Sequence, residues 1–288
     1  NVSLFFFSLF FLCFFKQKSK SSLTMFEATL AEASVLKKVL DAIKDLVTEA
    51  NFDCNTEGIS LQAMDTSRVA LVSFFLQADG FAEYRCDRSL SLGINLNSLT
   101  KIMKCANSDD KVTIKADDGA ATATFTFESP NAERVSQFTL KLMEINQQRL
   151  GIPQTDYKAT VQMSSAEFQR ISRDLSVIGD SVTLAVKKDS ILFSVTGDIG
   201  DGNICLRQGG GADRADETIV DCSEPVTATF ALKYFNYFTK ATALANSVSL
   251  QLFPGLPLNV QYKMEDMGFI RFYLAPKLDE DDDASGDM

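Results

Sequence analysis

The apolar positions of this chain alternate between two periods. FEATLA (26–31) has the every-other pattern of a half-buried strand. In SVLKKVLDAIKDLVTEA (34–50), Leu36, Val39, Leu40, Ile43, Leu46 and Val47 recur at helical spacing, and Ser34 is placed to cap the helix. GISLQAMDTSRVALVSFFLQ (58–77) predicts two strands about a turn at Asp65-Thr66-Ser67. NSLTKIMKCA (97–106) predicts a second helix, capped by Asn97. KVTIKADDGAATATFTFES (111–129) predicts a hairpin turning at Asp118-Gly119, and RVSQFTLKLM (134–143) a further strand.

From 144 to 157 the period disappears. EINQQRLGIPQTDY is polar, carries Gly151 and Pro153, and predicts a linker. The earlier order then returns. KATVQM (158–163) predicts a strand, and SSAEFQRISRDLSVIG (164–179) a helix opened by the capping box Ser164-x-x-Glu167 and closed at Gly179. Strands are predicted over 181–208 and 218–224, a loop over 209–217, a fourth helix over 231–245, and closing strands to 276. The chain therefore divides into two copies of one unit, 25–143 and 158–277, joined by 144–157; residue identity between the copies is low. LDEDDDASGDM (278–288) is acidic without apolar period and is expected to be a disordered tail.

The first 24 residues differ from the rest. Residues 4–15 are nearly all Phe and Leu, and KQKSK follows. That run is shorter than the roughly 20 residues a bilayer span needs, and it lacks the basic start and small-residue cleavage site of a signal peptide. A coherent amphipathic pattern begins only at Met25. Residues 1–24 are therefore expected to be non-native or upstream sequence read in frame, with translation starting at Met25. A secreted or membrane-anchored protein is the competing reading, and it rests entirely on this segment.

Composition narrows the chemistry. The chain has 288 residues, 45% hydrophobic and 23% charged, which suits one large or two ordinary globular domains. It has no His, so Ser-His-Asp, Cys-His and HExxH chemistries are excluded. Six Cys (13, 54, 86, 105, 205 and 222) form no CxxC pair and are expected to be reduced thiols of a cytosolic or nuclear protein. GDIGDGN (197–203) is not followed by GK[ST] and predicts a hairpin turn rather than a phosphate loop. Asp79, Glu83 and Asp87 have no defined metal-ligand spacing. No catalytic residue, metal or cofactor is expected; a metal-dependent phosphoryl-transfer enzyme is the weak alternative.

The formal charge is -10, yet each predicted helix carries a basic pair away from its apolar stripe. These are Lys37 with Lys44, Lys101 with Lys104, Arg170 with Arg173, and Lys233 with Lys240. If the helices share one side of the sheets, they form a cationic strip suited to phosphate backbone. No helix clusters Asn, Gln or Arg for reading base edges, so weak, salt-sensitive, sequence-indifferent binding is expected.

Longer stretches carry a resemblance. GISLQAMDTSRVALVSFFLQADGF (58–81), YRCDRSLSLGINLNSLTKIMKCA (84–106), LGIP (150–153), RDLSVIGD (173–180), FALKYFNYFTKAT (230–242) and YLAPK (273–277) closely resemble the eukaryotic sliding clamp family, proliferating cell nuclear antigen. The resemblance runs from Met25 to the acidic tail. It implies an α+β fold of two similar DNA-clamp domains, with antiparallel sheets outside and four helices inside, closing as a homotrimeric ring around double-stranded DNA. It implies a nuclear polymerase processivity factor, without activity of its own, that serves replication, repair, translesion synthesis and mismatch repair. Implied partners are polymerases, flap endonuclease, DNA ligase and the clamp loader. Lys37, Lys38, Lys44, Arg85, Arg88, Lys101, Lys104, Arg134, Arg170, Arg173, Lys233 and Lys240 would face DNA. Met64, Arg68, Leu71, Leu150, Ile152, Pro257, Tyr273 and Ala275 would line a groove for partner peptides. Lys188 matches the family's site of ubiquitin or SUMO attachment. Phe138 and Leu140 would meet Ile204 and Leu206 of a neighbouring subunit. Arg68 and Val177 stand where animal members usually have His, and Arg68 is expected to alter partner affinity. A subunit of a hetero-oligomeric checkpoint clamp is the alternative within the same fold.

Overall fold

The computed structural model describes residues 26–117, 119, 121–146, 149–152, 155–209 and 217–277. Residues 1–24, the Asp118 turn position, Pro153, most of the 209–217 loop and the acidic tail, all singled out in the sequence, lie outside the described residues.

Strand β1 (Phe26–Leu30) leads into helix α1 (Ala33–Ile43), whose Leu36, Val39, Leu40 and Ile43 are buried. Strands β2 (Glu49–Asn55), β3 (Gly58–Met64), β4 (Ala70–Gln77), β5 (Glu83–Cys86) and β6 (Leu90–Asn95) follow. Helix α2 (Leu96–Met103) and strands β7 (Lys111–Ala116), β8 (Thr122–Glu128) and β9 (Val135–Lys141) complete the first half. The second half repeats that order: β10 (Ala159–Ser164), α3 (Ser165–Leu175), β11 (Ser181–Lys187), β12 (Ser190–Gly197), β13 (Gly200–Arg207), β14 (Ile219–Cys222), β15 (Val226–Ala231), α4 (Leu232–Phe238), β16 (Ser247–Leu252), β17 (Leu258–Met264) and β18 (Gly268–Leu274).

Several expected boundaries are corrected. The first helix ends at Ile43 instead of running to 50. Leu46 and Val47 remain buried in the turn that follows, so the apolar spacing outlasts the helix, and Glu49 already begins β2. Its cap position is Glu32, which accepts from the Ser34 hydroxyl at 2.9 Å. The cap of α2 is Asn95 rather than Asn97; its side-chain oxygen accepts from Ser98 N at 3.0 Å. Ser164 does cap α3 by position, but its side chain makes no capping bond, so the capping box does not form. Only 232–238 of the fourth expected helix is α-helical. Thr239–Leu244 tightens to a 3-10 turn, where the Thr242 hydroxyl donates to the Thr239 carbonyl at 2.6 Å and so competes with the helical ladder. Strands β2, β5, β6 and β15 were not expected from the sequence.

All strand pairs are antiparallel. The sheet orders are β5-β1-β7-β8-β9, β14-β10-β16-β17-β18-β4-β3-β2-β6 and β13-β12-β11-β15. The long sheet contains both halves, because β18 pairs with β4 from Gly268↔Leu76 to Leu274↔Ala70. In the repeat, β18 corresponds to β9 and β4 corresponds to β13. The two strands joined inside the chain therefore have counterparts, β9 and β13, that are both free edges.

The helices abut in the order α2–α1–α4–α3 and make one layer. Their apolar sides enter a core that is continuous across both halves. Phe238 of α4 stacks on Phe272 of β18 at 4.6 Å, and Phe235 packs against Phe168 of α3 at 5.5 Å. Burial of large aromatic surface at these crossings supplies much of the cohesion between helices and sheet.

Candidate nucleic-acid interface and partner cleft

The helical layer carries nine of the twelve basic residues expected to face DNA. Lys37, Lys38 and Lys44 lie on α1 or at its end, Lys101 and Lys104 on α2 or at its end, Arg170 and Arg173 on α3, and Lys233 and Lys240 on α4 and the turn after it. The other three lie off this layer. Arg85 is in edge strand β5, where it is paired with Asp87 at 2.7 Å. Arg88 follows β5, and Arg134 sits in the turn before β9, its backbone N–H donating to Ser129 Oγ at 3.0 Å.

Carboxylates interleave with these cations, a feature the charge pattern alone did not bring out. Lys44 is paired with Asp41, and Lys240 with Asp45 across the two halves. Arg170 approaches Glu167 and Asp174 at 4.0 and 3.7 Å, and Arg173 meets Asp174 at 3.2 Å. The i,i+3 and i,i+4 spacings of Asp41, Glu167 and Asp174 were visible in the sequence as helix-surface partners. Lys37 is tethered to the Ala106 carbonyl. Lys233 lies 4.9 Å from the Tyr234 ring centroid. Among the described residues, Lys38, Lys101 and Lys104 have no carboxylate partner within salt-bridge distance. Lys37 and Lys104 flank a cleft between α1 and α2, with Asp41 and Thr100 beside them.

A second concave site opens on the outer side of the long sheet. Gln62, Met64, Asp65, Thr66, Arg68, Leu71, Asn146 and Leu150 line it. Four of the eight residues expected in a peptide groove are among them. Of the rest, Tyr273 lies opposite Leu71 in the β4–β18 register, and the Ala275 N–H donates to the Val69 carbonyl at 3.0 Å. Ile152 and Pro257 are exposed, on the linker and on the β16–β17 turn, and are not among the residues that line the cleft. The linker is pinned by Gln62, which donates to the Leu150 carbonyl at 2.9 Å and accepts its N–H at 2.7 Å. Gln62 points outward from β3 by simple alternation, which was the available signal.

The rim of this cleft is the turn after β3. Asp65 is 7% exposed. Its Oδ1 accepts the N–H groups of Val69 and Ala70, each at 2.8 Å, and its Oδ2 accepts Ser67 N–H at 3.2 Å. Tyr234 of α4, 3% exposed, donates its hydroxyl to Oδ2 at 2.9 Å. Burial alone would raise the Asp65 pKa, but the N–H of Ala70, the Tyr234 hydroxyl and the N–H groups of Val69 and Ser67 together hold it below the usual value. Burial, and then the neighbouring carboxylate, push the Tyr234 phenol up. Within this turn Arg68 adopts φ 58°, a left-handed conformation uncommon for a non-glycine residue.

The remaining expected residues are placed as follows. Lys188 is exposed at the β11–β12 turn. Phe138 of β9 and Ile204 and Leu206 of β13 are half-buried on free edge strands, on the side that faces the core, and Phe138 packs on Phe127 at 5.5 Å. Leu140 is only 6% exposed and belongs mainly to the core of its own chain. No helix among the described residues is long and apolar enough to cross a membrane.

Two repeated halves, a single helical layer with cations on it, and sheets on the opposite side define a clamp-type architecture. Residues 25–149 match the model for the N-terminal domain of proliferating cell nuclear antigen, and residues 151–277 match that for its C-terminal domain. The chain belongs to the proliferating cell nuclear antigen family, the DNA sliding clamps that act as non-enzymatic processivity factors in replication.

Proposed function

We propose that three copies of this chain close head to tail into a ring around duplex DNA, with the helical layer inward. The observation that carries this reading is the pairing of free edges. The internal β18–β4 joint has an unmade counterpart in β9 and β13, and β9 of one copy meeting β13 of the next would repeat it and remove the exposed edges. DNA would be held by topology and by loose contact with phosphates from Lys37, Lys38, Lys44, Lys101, Lys104, Arg170, Arg173, Lys233 and Lys240, assisted by Arg85, Arg88 and Arg134 near the ring faces.

On the outer side, the cleft at Met64, Arg68, Leu71 and Leu150, extended by Ile152, Pro257, Tyr273 and Ala275, would receive a short peptide with apolar and aromatic anchors. Polymerases, flap endonuclease, DNA ligase and the clamp loader would dock there in the nucleus, for replication and for repair, translesion and mismatch-repair synthesis. Lys188 is the proposed modification site.

Light scattering combined with DNA retention tests the ring. The expected result is a mass three times that of the chain and retention on closed circular DNA that is lost on linearisation. A stable monomer under native conditions would overturn the homotrimer and favour a hetero-oligomeric clamp.

A further inference from the structure

We propose that Tyr234 is a positioning residue through which the DNA-side helix α4 sets the rim of the partner cleft. This rests on the cleft being a peptide-docking site. Tyr234 belongs to the second half and Asp65 to the first, and the Tyr234–Asp65 bond joins the helical layer to the outer surface through the protein.

Asp65 is the hub of the rim turn. Three backbone N–H groups converge on its carboxylate, and the turn is closed further by Asp65 N–H to the Ala70 carbonyl at 2.9 Å and Arg68 N–H to the Asp65 carbonyl at 3.1 Å. Those bonds are local to the turn. They shape it, and the Ala275 N–H to the Val69 carbonyl ties its β4 end to the segment after β18, but none of them reaches the helical layer. Among the described residues, the Tyr234 hydroxyl reaches this carboxylate from another element. It completes the acceptor sites of a buried anion and ties the turn to α4, which is itself held by the stacking of Phe238 on Phe272.

Arg68 and Thr66 ride on that turn and line the cleft, so a shift of the turn moves the cleft wall directly. Arg68 is the residue most sensitive to such a shift, because its left-handed backbone persists only while the surrounding bonds hold it. On the other end, the Lys233 ammonium lies over the Tyr234 ring, so the same tyrosine is bounded by a DNA-side cation and a cleft-side carboxylate.

The test uses the full chain, a fluorescein-labelled synthetic peptide bearing one aliphatic and two aromatic anchors, and a labelled linear duplex, both read by anisotropy. Tyr234→Phe is expected to weaken peptide binding about five- to tenfold, the scale of one ordinary intramolecular hydrogen bond. Duplex binding is expected to change less than about twofold, since no cation is removed. Asp65→Asn is expected to weaken the peptide as well, and the double variant to be no worse than the weaker-binding single, because Tyr234 acts through Asp65.

Three results would overturn the inference: unchanged peptide affinity in Tyr234→Phe while the unaltered chain binds, additive losses in the double variant, or an equal loss of duplex binding. Failure of the unaltered chain to bind the peptide would instead remove the docking reading, and the role of Tyr234 with it.

Discussion

Replacing Lys101 and Lys104 with Ala removes two cations that no carboxylate among the described residues pairs with. On counterion-release grounds each phosphate contact contributes about 0.9 to the slope of log affinity against log salt, so losing both lowers the slope by about 1.8 per chain and costs about eightfold per contact at 0.1 M salt. The same count of charges removed as Arg170→Ala and Arg173→Ala should cost less. Those guanidiniums are already engaged by Glu167 and Asp174, so a phosphate must compete with a carboxylate that then needs its own counterion. The expected slope change there is about 1 or below. Anisotropy titrations of a labelled duplex over a range of KCl measure both slopes, with light scattering to establish that assembly is unchanged. Equal slope losses in the two double variants would refute the idea that interleaved carboxylates grade the strip; no loss at Lys101 and Lys104 would refute their contact with DNA.

Three further outcomes are expected. Asp65 has a depressed folded pKa, so its contribution to stability is present above the unfolded value near 4 and is lost as pH falls through the folded one. The urea midpoint of Asp65→Asn should therefore lie below that of the unaltered chain at neutral pH and converge with it below about pH 4; a gap independent of pH would count against the ionised carboxylate. Gly93→Ala would place a Cβ 1.9 Å from the Met143 carbonyl oxygen, and the backbone shift required should cost about 1–3 kcal/mol in chemical denaturation; a neutral result would mean that the start of the linker is free to move. Val135, 62% exposed at the start of β9, and Ile199, 73% exposed at the turn into β13, are the apolar ends of the two free edges. Changing both to Glu should yield monomers by light scattering with unchanged circular dichroism if the proposed ring forms, and a trimeric mass in the double variant would place the joints elsewhere.

Much of this architecture was legible because its signals are local. Alternation in 58–77 and 111–129 marked both hairpins, and the helical spacing of Leu36, Val39, Leu40 and Ile43 marked α1. The repeat emerged from the order of these elements. The errors arose where two signals overlap. Leu46 and Val47 extend a helical period into a turn because the core, not the helix, buries them. Asn95 and Asn97 are equally good caps by residue type, and only the backbone path of β6 selects the first. The short strands β5 and β15 depend on neighbours far away in sequence. The Asp65–Tyr234 bond was invisible for the same reason, since nothing near either residue names the other.

The β18–β4 joint also has a consequence for how the chain is made. Strand β4 leaves the ribosome early, yet the strand that covers its edge is the last in the fold. At roughly 5–20 residues per second, about 10–40 s of synthesis separate the two. During that interval the nascent first half presents the edge of β4, with Val72, Phe74 and Leu76 on the side destined for the core. An unpaired edge of this kind is a template for pairing with another chain, so the feature that unites the two halves also leaves the newborn first half with an open edge until synthesis is nearly complete.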